Sequence, residues 1–367
     1  MKKRYLIPLI LIGVSAILTA AGRLSKSFAD FYAAHIFPYL STPYAFISGL
    51  LPFSLGEILI VAALLLFVIG IPVMIILLIF AKKKRKKVAS FSLTAAVWIL
   101  AFVAVTQSFN CFSLYGCTRF SERYFSGSEH DNEQLKQLYS MLIDEANELA
   151  AEVPRDENDR FTLTIDATKE CRKAMKKASA DYPQLKGYYP RPKPILFSYF
   201  MSQTGTAGMY FPFSMEANYN ADMVPECQPE VICHEYAHLK GFMQEDEANF
   251  ISFVATQGSD NAEVRYSGCL EALEYVHNQI YGNNVQSGFE ITEKISPQVF
   301  NDWFRFLPDN YWEENKEKEV FSTETVSSVS ESASDTSMKL NGVEDGISSY
   351  SRMVNLLLDY YFPPENS

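Results

Sequence analysis

Apolar positions fill three long runs in the first third of the chain and then break into short, spaced patterns. The runs cover Tyr5 to about Gly22, Ile58 to Ala81, and about Val88 to Phe109. Each supplies the roughly 20 residues a helix needs to cross a bilayer. Ile58 to Ala81 carries no charge, whereas a soluble core helix of that length keeps a polar face. The first run begins with basic residues and ends near the small residues Thr19, Ala20 and Ala21, features shared with a cleaved signal peptide. Two further spans and the lack of a compelling cleavage site favour an uncleaved anchor. The pattern therefore predicts a membrane anchor over residues 1–109 and a second domain over 110–367.

Beyond the anchor, Leu135, Leu138, Leu142, Ile143, Ala146 and Leu149 recur at helical spacing between Asn132 and Val153, with Pro154 as a stop. A further helix is expected from Ala167 to about Ala180. Pro190-Arg-Pro-Lys-Pro194 excludes helix and introduces a strand-like stretch, Ile195 to Met201, which a turn through Gly208 pairs with Met209 to Phe213 as a hairpin. Ser322 to Ser337 reads as a polar linker, although Val326, Val329 and Ala333 also fit one face of a weak helix. Tyr350 to Tyr361 reads as a buried helix. The expected fold class is α+β, mainly helical with a small sheet, behind three N-terminal transmembrane helices.

Charge divides the chain in the same place. Of 32 Lys and Arg, 11 lie before residue 110, against two acids, Asp30 and Glu57. The rest holds 21 basic and 41 acidic residues, so the overall charge of −11 hides a second domain of −20. Such a surface cannot neutralise phosphates, which argues against a nucleic-acid partner. Basic residues near span ends stay on the cytoplasmic side, which puts Met1 to Arg4 and the run Lys82 to Lys87 inside. Three crossings then leave everything after about Asn110 outside the cytoplasm, as expected of a multi-pass protein of the cell membrane. The intervening loop, Arg23 to Glu57, is rich in Phe, Tyr and Pro and suits a segment lying on the bilayer interface. All six cysteines fall in the exported part, and none forms a C-x-x-C pair.

The chemistry concentrates at His234-Glu235-Tyr236-Ala237-His238, an H-E-x-x-H motif associated with zinc metalloproteases. Pro229 suits the first helical turn, Glu230 favours its positive end, and Gly241 can close the helix in a left-handed conformation. A helix from Pro229 to Lys240 sets His234 and His238 one turn apart on one face, where two imidazoles can share a tetrahedral cation. A third ligand is sought among Glu245, Asp246 and Glu247, at the start of a helix reaching about Gly258. Glu245 shares its face with Ala248, Asn249, Ser252 and Thr256, small and polar residues that permit close approach. Glu247 lies with Phe250, Ile251 and Val254. This geometry favours Glu245 and leaves Glu247 open, with Asn249 as a hydrogen-bonding support.

The blocks Tyr210-Phe-Pro-Phe-Ser-Met-Glu-Ala-Asn218, His234 to Phe250 and Arg265-Tyr-Ser-Gly268, with the ending Ser349-Tyr350-Ser351, resemble an uncharacterised family of bacterial multi-pass membrane proteins, a domain of unknown function. The resemblance covers most of the chain and brings no substrate. More distantly, Glu245-x-x-Ala248-Asn249 is similar to the Glu-x-x-Ala-Asp/Asn element of gluzincin metallopeptidases, although the gap from His238 is shorter than in most of them. That resemblance implies a gluzincin-like domain with Glu245 as third zinc ligand.

The resulting expectation is a membrane-anchored zinc metallopeptidase acting on peptides or proteins, with Zn2+ held by His234, His238 and Glu245. Glu235 would be the general base on a zinc-bound water. Arg265, Tyr266, His277 and Tyr350 are candidates to stabilise the oxyanion, with Tyr266 first. A strand ending near Phe213 could pair with an extended peptide. The alternative is a non-hydrolytic metal-binding membrane sensor or assembly factor on the same fold. Proteolysis inside the bilayer is disfavoured, because Pro229, Glu230, Lys240 and the following acids keep the motif out of any apolar span.

Overall fold

The computed structural model describes residues 3–125, 127–340 and 350–364. It divides into two units, residues 1–117 with 211–216, and residues 118–210 with 217–367.

The first unit is helical. Lys3–Leu24 forms α1, Lys26–His35 α2 and Phe37–Gly49 α3. Leu55–Leu65 (α4) runs through a π-helical turn, Leu66–Gly70, into α5 (Ile71–Phe80), and Arg85–Gln107 is α6. Three stretches are long and apolar enough to cross a membrane, Arg4–Leu24, Leu55–Phe80 and Lys82–Gly116. Their outward Leu, Ile, Val and Phe side chains form a broad exposed apolar surface, as on Leu64, Phe67, Ile76 and Phe80. Water disfavours such a surface and lipid does not, so these helices mark a membrane-associated chain. The interfacial loop expected before Glu57 is itself helical, as α2 and α3. Tyr32, buried between them, donates its hydroxyl to the Phe109 carbonyl at 2.8 Å. The helical run of the third stretch continues through Gly116, and the first unit includes residues up to 117.

The second unit begins with a short helix, α7 (Phe120–Tyr124), followed by α8 (Asn132–Glu152) and α9 (Ala167–Ala178). Asp131 and Gln134 close the start of α8 with a reciprocal capping box, and its leucine stripe is buried as the spacing predicts. The sheet contains β1 (Lys193–Ile195), β2 (Gly208–Phe211) and β3 (Glu216–Asn220) in the order β1-β3-β2. Here the expectation needs correcting. The first strand stops at Ile195, Ser198–Gln203 is helix α10, and β1 pairs in parallel with β3 at Lys193↔Asn218 and Ile195↔Asn220. Ser198 donates its hydroxyl to the Ile195 carbonyl at 2.7 Å, so the chain turns away as soon as the strand ends.

Gln228–Leu239 is α11, Glu245–Gln257 is α12 and Ala262–Gly282 is α13. They pack on one another, on α8 and α9, and on α18 (Tyr350–Tyr361). Tyr236, Phe250, Ile251, Leu273 and Leu357 are sealed from solvent in this core. At the periphery are α14 (Gln286–Thr292), α15 (Pro297–Asp302), α16 (Tyr311–Glu314) and α17 (Thr323–Leu340). The segment read first as a linker is thus the helix α17. Glu319 and Ser322 accept hydrogen bonds from the Thr323 and Thr325 amides and cap its exposed start.

Candidate metal centre

Helix α11 forms where its sequence predicts. Pro229 lies in the first turn, and Gly241 (φ 97°) ends the helix in the left-handed region with its amide bonded to the His238 carbonyl at 2.9 Å. The reversal after Gly241 brings α12 back beside α11. His234 and His238 lie one turn apart with ring centroids 4.7 Å apart, nearly perpendicular. Glu245, the first residue of α12, sends Oε2 to 3.2 Å from His234 Nε2 and 3.5 Å from His238 Nε2.

One ligand atom from each of His234, His238 and Glu245 lies within 4.8 Å of the others. Two imidazole nitrogens and one carboxylate oxygen suit a divalent transition metal, and zinc takes such a set with a fourth position free. The Nδ1–H of His238 is directed to the Phe242 carbonyl at 2.7 Å, which fixes the ring and leaves Nε2 for the cluster. Burial lowers the basicity of His238, but Glu245, Glu235 and the Phe242 carbonyl outweigh it and raise the pKa to about 9. Burial raises the pKa of Glu245, and the two histidines overcome it, holding this carboxyl well below the usual range. Two-fifths of its side chain remains open to solvent, so the group is reachable from outside.

Glu235 follows His234 on α11 and lies close enough to His234, His238 and Glu245 for their charges to act on it. It is 4% exposed, and its Oε2 has no hydrogen-bond partner among the described residues. Burial, opposed by His234 and His238, pushes its pKa up to about 7. Gly208, the first residue of β2, lies directly against it. A Cβ there would overlap the Glu235 carboxylate and come within 2.8 Å of Val231 Cγ1. Tyr210, two residues on, lies nearly parallel to the His238 ring at 6.2 Å. No sequence signal linked Gly208 or Tyr210 to the H-E-x-x-H motif, because their proximity to α11 depends on how the strand packs.

Glu247 is turned into the protein, 3% exposed, with Oε1 accepting the Phe120 amide at 2.5 Å. Asn249 donates to the Tyr275 hydroxyl at 2.7 Å. Tyr266 is fully buried, gives its hydroxyl to Asp302 Oδ2 at 2.8 Å and is approached by Arg155 at 3.4 Å. That network, and not the metal-ligand cluster, occupies its polar end. Burial and Asp302 hold its phenol protonated, with a pKa far above the usual value. Arg265 lies 3.6 Å from Glu152, and His277 Nδ1 is 2.7 Å from the Tyr139 hydroxyl. The side chain of Tyr350 lies outside the described residues.

The fold and the cluster define a mainly helical, membrane-associated protein with a His-His-Glu site able to hold a metal ion. The chain belongs to the family described as "Protein of unknown function (DUF3810)", whose model matches residues 32–358. No curated protein and no solved structure matches it.

Proposed function

We propose that the protein is a membrane-anchored zinc metallopeptidase that hydrolyses peptide bonds outside the cytoplasm. The observation that carries this reading is the convergence within 4.8 Å of His234 and His238, on α11, with Glu245, on α12, where α11 also bears the buried carboxylate of Glu235. When bound there, zinc supplies Lewis acidity that acidifies water and polarises a peptide carbonyl. Glu235 accepts the proton of the attacking water at its unpartnered Oε2 and delivers it to the leaving amine. A pKa near 7 suits a group that must take up and release a proton at neutral pH. Among the described residues β2 is an edge strand of the sheet, so its outer edge can receive an extended substrate. The basic run Lys82 to Lys87 sets the orientation, with the second unit exported.

Metal content and peptidase activity of the purified full-length protein test the reading together. His234→Ala is expected to lose stoichiometric zinc. Glu235→Gln is expected to keep zinc and lose hydrolysis of a mixed peptide library by roughly 10²-fold or more. Zinc-free wild type, or unchanged hydrolysis in Glu235→Gln, would overturn it.

A further inference from the structure

The two acids that follow Glu245 are both buried, Asp246 at 4% and Glu247 at 3% exposure. Acids are common in the first turn of a helix, but there they normally face water, and a buried carboxylate requires partners. One short stretch supplies a partner to each of them. Thr118 is separated from the helical run Lys82–Gly116 only by Cys117. Just beyond it, Arg119 Nη1 lies 3.4 Å from Asp246 Oδ2, and the Phe120 amide donates to Glu247 Oε1 at 2.5 Å. The Phe120 ring is fully buried against Phe242 at 5.8 Å and Phe250 at 5.6 Å between centroids.

Phe242 is the residue whose carbonyl orients His238. Residues 119 and 120 therefore grip both supports of the cluster: the turn that fixes His238 and the helical turn that begins with Glu245. Arg352 of α18 adds a second cation to Asp246, with Nε at 3.0 Å from Oδ2.

We infer that Asp246 and Glu247 are positioning residues that lock the segment leaving the membrane onto the elements bearing His238 and Glu245, so that the metal affinity of the cluster is set through residues 119 and 120. The inference rests on the metal site proposed above. It makes the membrane-exit segment a structural part of the centre, through which a shift of that segment alters how well the three ligands converge.

The test is the zinc affinity of the purified full-length protein, measured by chelator competition, with the visible spectrum of the cobalt-substituted form reporting ligand geometry. Glu247→Ala removes the acceptor of the Phe120 amide and is expected to weaken zinc by roughly 10- to 100-fold, with an altered cobalt spectrum. Glu247→Gln keeps a carbonyl oxygen for that amide and is expected to remain within about threefold of wild type. Should Glu247→Ala not accumulate, Arg119→Gln carries the comparison, with an expected loss of about threefold or more. Leu142→Ala, a core truncation in α8, is the control, and should lower thermal stability while leaving zinc affinity unchanged. Glu247→Ala within twofold of wild type, or an equal loss in Leu142→Ala, would overturn the inference alone. Wild type that binds no zinc overturns the metal reading with it.

Discussion

Glu226, in the turn that precedes α11, is 3% exposed and has Arg305 Nη1 at 3.4 Å. Burial outweighs that cation and pushes its carboxyl up to about 7 from the ordinary 4.5. An acid whose pKa is raised by folding binds its proton more tightly in the native state. It costs nothing below pH 4.5, where both states are protonated. The penalty grows as pH rises towards 7 and is complete above it. The full effect is on the order of 3 kcal/mol. Glu226→Gln should therefore gain apparent thermal stability relative to wild type as pH rises from 4.5 to 7.5, and a difference that does not vary with pH would refute this. The surroundings of Tyr266 are set by residues far along the chain. Tyr266 stands first among four oxyanion candidates by residue type, whereas its actual hydrogen-bond partners, Asp302 and Arg155, are remote in sequence.

Among the elements, α11 and α12 were legible because helical periodicity is local. Four residues make one turn, so H-E-x-x-H specifies a shared face without reference to the rest of the chain. The sheet was not legible in the same way. Ile195 to Met201 is apolar enough for a strand, yet only Lys193–Ile195 finds a partner, and that partner is β3, reached across α10 and β2. Strand extent is fixed by a neighbour that local propensity cannot identify. The approach of β2 to α11 yields a prediction. Gly208→Ala puts a methyl group onto the Glu235 carboxylate and Val231, so either the strand or that carboxylate must move. Peptide hydrolysis should fall by about tenfold or more, with helical content and zinc binding retained, since overpacking of this kind costs roughly 1–3 kcal/mol. Full activity in Gly208→Ala would refute the proposed role of Glu235 as the base beside this strand.

For the molecule as a whole, the division of charge sets the proposed orientation. With the basic run inside and the acidic unit outside, Ser328→Cys should react with a membrane-impermeant maleimide on intact cells and Lys83→Cys only after lysis, each scored above the parent protein. The reverse pattern would invert the topology and remove the exported site. The amino-acid sequence by itself determined the membrane-length helices, the amphipathic helices of the second unit and the pair of histidines, because each depends on residues within a turn or two of one another. Only the tertiary structure decided that Glu245 joins those histidines while Glu247 turns to Phe120, that Gly208 lies on Glu235, and that Tyr266 belongs to Asp302. Those choices depend on which of several chemically similar groups packing brings within a few ångströms, and that distance is settled by the whole core at once.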